Sequence, residues 1–144
     1  MISYSADLDG IDWAEAARIF QKAPLGKRQP EQLEKAFKAS YACLAAFDKG
    51  ADGAKLVGLA RALCDGQYQA AIYDVVLLPQ YQGAGIGKEI MRRLRAQLPV
   101  KNVILYAAPG REGFYAKCGY RKMLTAMAML NPLMGGVEQY LANE

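Results

Sequence analysis

The chain has 144 residues, 53% of them hydrophobic and 22% charged, and a net charge of +4. These values predict one soluble domain, residues 1–144, with a sizeable core, and exclude a disordered or fibrous chain. The sequence holds no histidine, so histidine triads and histidine metal sites are excluded and any acid or base must be Asp, Glu, Tyr, Cys, Lys or water.

Met1 to Ser5 alternates apolar and small polar residues and predicts a first strand. Asp9 or Asp12 can cap a helix whose apolar residues Ile11, Ala14 and Ile19 recur at helical spacing, and Pro24-Leu25-Gly26 ends it. After the polar link Lys27-Arg28-Gln29, Pro30 suits the first turn of a second helix with Leu33, Ala36 and Phe37 on its buried face. Tyr41–Phe47, Lys55–Leu63 and Gln69–Leu78 read as three antiparallel strands, turned at Asp52-Gly53 and Asp65-Gly66. A helix from Ile86 to Leu98 comes next, with Ile86, Ile90, Met91, Leu94 and Leu98 on one face. After it lies a short strand, Asn102–Ala107, which the intervening helix should make parallel to the strand before it. Pro109-Gly110 predicts a loop, Glu112–Cys118 a short helix and Gly119 its C-cap. Tyr120–Met123 and Thr125–Leu130 are expected as the last strands, and Val137, Tyr140 and Leu141 could dock the tail as a helical turn.

Between the third of the antiparallel strands and its helix lies Gln82-Gly83-Ala84-Gly85-Ile86-Gly87-Lys88. Glycines there leave no Cβ to block a ligand, and the loop opens a helix whose first N–H groups have no partner within it. The helix dipole adds positive charge at that end, so the loop is suited to phosphate. A P-loop is ruled out, because Gln82 stands where its first glycine belongs and Glu89 where Ser or Thr must hold magnesium. A dinucleotide fingerprint is ruled out by Lys88 at its third glycine and by the short chain beyond it. The net charge of +4 is concentrated here, in Lys88, Arg92, Arg93, Arg95 and Lys101 against Glu89. A basic helix suits an anionic cofactor, though a solvated helix face accounts for the same residues. The basic stretch is short and not interleaved with aromatics, so no nucleic-acid partner is expected.

Cys43, Cys64 and Cys118 are far apart and odd in number, which suggests neither a zinc site nor a disulfide framework, and no metal is expected. No apolar run approaches a membrane span and Met1–Gly10 lacks a basic leader pattern. The expectation is a protein of the reducing cytoplasm with no membrane partner; a homodimer is left open.

The loop fits the pattern Q/R-x-x-G-x-G/A without mismatch, at Gln82, Gly85 and Gly87. Some thirty residues on, Phe114-Tyr115-Ala116-Lys117-Cys118-Gly119-Tyr120 matches F-Y-x-x-x-G-F/Y. Together, in this order and on these elements, the motifs resemble those of the GNAT N-acetyltransferases. The resemblance runs from about Gln29 to about Leu130. Within the family it is nearest to plant and cyanobacterial serotonin (arylalkylamine) acetyltransferases, through Lys27-Arg28-Gln29-Pro30, Leu56–Ala62 and Ile72-Tyr73-Asp74-Val75. It implies the GNAT acyl-CoA N-acyltransferase fold, an α/β (α+β) class with a mixed, mostly antiparallel sheet and helices on both faces.

The activity so implied is attack of a primary amine, here a small arylalkylamine, on acetyl-CoA (coenzyme A), without a covalent acetyl-enzyme. The resemblance gives the cofactor to Leu77, Leu78, Gln82, Gly83, Ala84, Gly85, Ile86, Gly87 and Lys88, and to Tyr115. It makes the backbone N–H of Leu77, or one close to it, the group that polarises the thioester carbonyl and Tyr115 the acid that protonates the departing thiolate. Many family members carry an asparagine just after the strand that ends at Ala107; this chain has Ala108-Pro109-Gly110-Arg111, so contacts there fall to backbone or to Arg111. From the residues themselves, Asp74 is a candidate base for the ammonium, a candidate anchor for its charge, or the partner of an arginine such as Arg61. Alternatives within reach of the same residues are a protein lysine, polyamine or aminoacyl-tRNA as acceptor, or an acyl-CoA-binding module without turnover.

Overall fold

A computed structural model describes residues 1–143 of the chain. By backbone contacts these fall into two units, one spanning Met1–Tyr106 and the other beginning at Ala107.

The first unit is built on a five-stranded sheet in the order β1-β2-β3-β4-β5. Its strands are β1 (Ile2–Ser5), β2 (Ala42–Gly50), β3 (Gly53–Cys64), β4 (Gln69–Leu77) and β5 (Asn102–Leu105). The first four pair antiparallel and β5 pairs parallel to β4, as the intervening helix requires. The β2–β3 turn closes on the Gly50–Gly53 pair, with Gly53 at φ 102°. At the next turn Asp65 Oδ1 accepts the N–H groups of Gln67, Tyr68 and Gln69, which holds its carboxyl below the ordinary range.

Burial along the central strands is continuous rather than alternating: Ala42 to Ala46 and Leu56 to Ala60 are all buried. Both sheet faces are therefore covered. On one face lie α1 (Trp13–Lys22) and α2 (Pro30–Lys38), joined by Phe20 and Phe37, whose rings meet edge to face at 6.3 Å. Asp12, not Asp9, caps α1 by accepting the N–H groups of Ala14 and Glu15. On the other face lies α3 (Ile86–Ala96), which buries Ile86, Ile90, Met91 and Leu94, the stripe read from the sequence. Its approach depends on Gly58 of β3. A Cβ there would sit 2.9 Å from the Val76 carbonyl oxygen and 3.2 Å from Ile90 Cδ1.

The second unit holds α4 (Glu112–Lys117), closed by Gly119 at φ 96°, and a short 3-10 turn, Val137–Gln139. No residue from Ala107 to Asn143 is buried. The strands expected at Tyr120–Met123 and Thr125–Leu130 are not formed: among the described residues that stretch pairs with no strand, and Leu124, Met127 and Met129 are each at least 96% exposed. Its apolar residues satisfy a strand pattern, but a strand needs a ladder partner to take its backbone groups, which local pattern cannot supply.

Candidate active site

The site begins where the sheet opens. β5 pairs with β4 from Gln69 to Ile72 and then stops, while β4 continues to Leu77. The far half of β4 is thus an edge of the sheet. Its polarity comes from register. Leu78 N donates to the Val57 carbonyl at 2.9 Å, and Leu77 faces Gly58 as the next, non-bonded pair. Leu77 and Val75 therefore turn their N–H groups away from β3, toward the side where β5 gives no partner. Leu78 is different: its N–H is taken by Val57 and its carbonyl by Tyr81 N.

The chain then passes through a 3-10 turn, Pro79–Tyr81, into the glycine loop. Two side chains fasten that passage. Gln82 Nε2 donates to the Leu77 carbonyl at 2.9 Å, tying the first motif residue to the end of β4. The Tyr81 hydroxyl donates to Asp48 Oδ2 at 2.6 Å, tying the turn to β2. That bond holds the Asp48 carboxyl below, and the Tyr81 phenol above, its ordinary range.

Gly83 and Gly85 both have positive φ, 85° and 84°, which L side chains rarely adopt. A Cβ on either would meet nothing within 4 Å, so the space over the loop is open. Gly85 is the N-cap of α3 and no side chain caps that helix, which leaves its first N–H groups to a ligand or to water. Ala84, Ile86, Gly87 and Lys88 complete the turn, with Ile86 packed into the core. The basic run on α3 is partly compensated. Glu89 accepts from Arg92 and Arg93 at 2.7 Å, and those bonds bring its carboxyl down to about 2. Among the described residues Lys88, at the mouth of the loop, enters no salt bridge. These features suit a pyrophosphate: backbone donors, no Cβ in the way, and the positive end of a helix dipole.

At the other end of the open edge stands Asp74, a buried charged residue, 5% exposed. Its Oδ2 accepts from Arg61 Nε at 2.6 Å, and its Oδ1 and Oδ2 accept from Arg28 at 3.2 and 3.4 Å. Arg28 comes from the link between α1 and α2 and stacks over Phe20 at 4.6 Å. Arg61 lies 5.7 Å from the Tyr73 ring, which meets Tyr106 edge-on at 6.4 Å. The Arg61 pairing is one of the roles read for Asp74 from the sequence. Arg28 was not foreseen in this place, because 46 residues separate it from Asp74. Val75 and Tyr81 were also missed: one acts through backbone direction and the other through a contact with β2, and neither leaves a motif.

Tyr115 sits on α4 of the second unit, its ring 5.0 Å from Phe114 and 6.4 Å from Tyr120. Arg111 precedes that helix, where Arg111 N donates to the Ala108 carbonyl and Gly110 N to Glu112. Cys43 is buried, its thiol pushed up to about 11 chiefly by burial, and donates to the Phe37 carbonyl. Among the described residues no cluster of metal-ligating side chains occurs, and no helix is long and apolar enough to cross a membrane.

Comparison with known proteins gives the family. Residues 39–122 match the acetyltransferase (GNAT) domain, and the chain belongs to that family. It is similar to serotonin N-acetyltransferase 2, chloroplastic, of Oryza sativa, with 34% identity over 77% of this chain and 57% of that protein. It also resembles the uncharacterized N-acetyltransferase ycf52 of Pyropia yezoensis, with 36% identity over 83% of this chain and 70% of the other. The chain thus spans little more than half the length of the rice protein. Among solved structures, a probable acetyltransferase of Staphylococcus aureus superposes with a TM-score of 0.77 at 22% identity, covering 91% of this chain and 98% of that one. A putative acetyltransferase of Deinococcus radiodurans gives 0.73 at 26% identity, over 90% and 87% of the two chains. The fold is the GNAT fold.

Proposed function

We propose that this chain transfers the acetyl group of acetyl-CoA to the primary amine of a small arylalkylamine. The observation that carries the reading is the continuous path from the open edge of β4 into the glycine loop. On this path the N–H groups of Gln82 to Lys88 hold the cofactor's pyrophosphate. The outward N–H of Leu77 receives the charge that develops on the thioester oxygen, as a fixed backbone donor can do without reorganising. Tyr115 is the acid for the leaving thiolate: a phenol near pKa 10 can protonate a thiolate whose acid lies near 8.5 at little cost. Asp74 acts through the arginines it holds, since both its oxygens accept from guanidinium groups, and the ammonium proton leaves to water. The similarity to the rice serotonin acetyltransferase supports an aromatic acceptor, as does the exposed Tyr73–Tyr106 pair beside the open edge. Three free, separated cysteines support a reducing compartment.

The test is an amine panel with acetyl-CoA and detection of the released thiol. Aromatic ethylamines should be acetylated faster than spermidine, lysine peptides or aminoacyl-tRNA. Preference for any of the latter would overturn the acceptor class. Tight acetyl-CoA binding without thiol release for any amine would make the chain a binding module.

A further inference from the structure

The cluster around Asp74 holds two guanidinium groups against one carboxylate. It therefore carries one guanidinium charge more than its carboxylate balances, and the side chains of Arg61, Arg28 and Asp74 are 17%, 35% and 7% exposed, so the spare charge of Arg28 is partly shielded yet open to solvent. A counter-ion stabilises a partly desolvated charge of this kind. A guanidinium also has more N–H donors than one shared carboxylate takes up. Arg28 gives Asp74 one bond from each terminal nitrogen, both longer than 3 Å, whereas Arg61 grips it at 2.6 Å. Arg28 is thus the looser and more exposed of the two, and its guanidinium carbon lies over the Phe20 ring, 4.6 Å from its centre. Beside the cluster, Tyr73 of β4 and Tyr106, which follows β5, are 46% and 54% exposed and meet edge to face where the two strands part.

We infer that the acceptor carries a carboxylate beside its amine, and that Arg28, held by Asp74, is the residue that selects it. The aromatic body lies against Tyr73 and Tyr106 and the carboxylate meets the outer donors of Arg28. One spare positive charge matches a carboxylate better than a phosphate, whose charge is about −1.5 to −2. The cluster already shows that it accommodates a carboxylate, since Asp74 is one. About 10 Å of strand from Asp74 to Leu77, followed by the turn Pro79–Tyr81, separates it from the glycine loop, so the two anion sites are distinct. This inference rests on the reading of the acceptor as a small aromatic amine and narrows it to aromatic amino acids.

The experiment compares matched pairs, tryptophan with tryptamine and phenylalanine with phenethylamine, by kcat/KM at saturating acetyl-CoA. O-phosphoethanolamine and β-alanine, amines that carry a phosphate and a carboxylate in turn, form a phosphate arm. The amino acid should exceed its decarboxylated partner by about tenfold, the worth of one charge-assisted bond. Arg28→Gln should lower kcat/KM for the amino acid about tenfold more than for the amine, and Arg28→Lys, which keeps the charge but loses the fork, should restore part of the ratio. Acetyl-CoA affinity and the melting temperature of each variant, read in parallel, separate loss of selection from loss of fold. Acetylation of tryptamine in preference to tryptophan, or a ratio unmoved by Arg28→Gln, overturns this inference and leaves the aromatic-amine reading standing. A faster phosphate arm overturns the carboxylate assignment. Acetylation of spermidine alone overturns both.

Discussion

The open edge of β4 ends in two sites made of different material. At Asp74 the site is built from side chains: a buried carboxylate, two guanidinium groups brought from Arg28 and Arg61, and a tyrosine pair. At the glycine loop it is built from backbone: two glycines at positive φ, a helix with no side-chain cap, and Gln82 fastening the loop to Leu77. The backbone site can serve any ligand with a pyrophosphate, because every chain offers the same N–H groups. The side-chain site is particular to this sequence, and on the proposed reading selection of the acceptor belongs there.

Replacing Gly85 tests the backbone end most severely. Gly85→Val puts a β-branched residue at φ 84° and a side chain into the open space above the loop. Strain at such a position costs about 1–3 kcal/mol before any clash with ligand. Acetyl-CoA binding by calorimetry should fall below detection; wild-type affinity would show that the loop is no cradle. Tyr115→Phe should leave that affinity in place and lower kcat by about a hundredfold, the size of a lost general acid. An unchanged kcat, with chemistry limiting the rate, would remove Tyr115 from the reaction.

Smaller changes separate the scaffold from the two sites. Gly58→Ala forces α3 away from β3, since the new methyl would press on backbone at Val76 and on Ile90. Overpacking of this kind costs about 1–3 kcal/mol, to be read from chemical denaturation. It should weaken acetyl-CoA binding while sparing the ratio between acceptors, and a shift in that ratio would merge the two sites. Tyr81→Phe breaks the bond to Asp48 without emptying space. A loss of about 0.5–1.5 kcal/mol is expected, seen as a several-fold weaker acetyl-CoA affinity.

The smallest effect concerns pH at the loop end. Glu89 has its carboxyl depressed from 4.5 to about 2 by Arg92 and Arg93. A depressed carboxylate stabilises the fold above its ordinary pKa, and that support is lost as pH falls through the depressed value. An NMR titration should place the Glu89 midpoint near 2. An ordinary midpoint would mean that the arginines on α3 are not committed to Glu89 and stand with Lys88 as free positive charge.

The elements that the sequence alone determined are those whose cause is local. The stripe Ile86, Ile90, Met91, Leu94 has one helical period and Pro30 suits a first turn, whereas the choice of Asp12 over Asp9 as the cap of α1 was left to the structure. The glycine loop was legible for the same reason: positive φ at Gly83 and Gly85 admits few residues, so the backbone requirement is written directly in the chain. The sequence also offered Arg61 as a partner for Asp74, thirteen residues away on the adjoining strand. Only the tertiary structure decided that Arg28 joins them, that Tyr81 reaches Asp48, that Gly58 gives way to Ile90, and that β4 outruns β5. It also decided against strands after Tyr120, where an apolar pattern found no ladder partner. Contacts across tens of residues depend on how sheets and helices close on one another, and no local period or propensity encodes that closure.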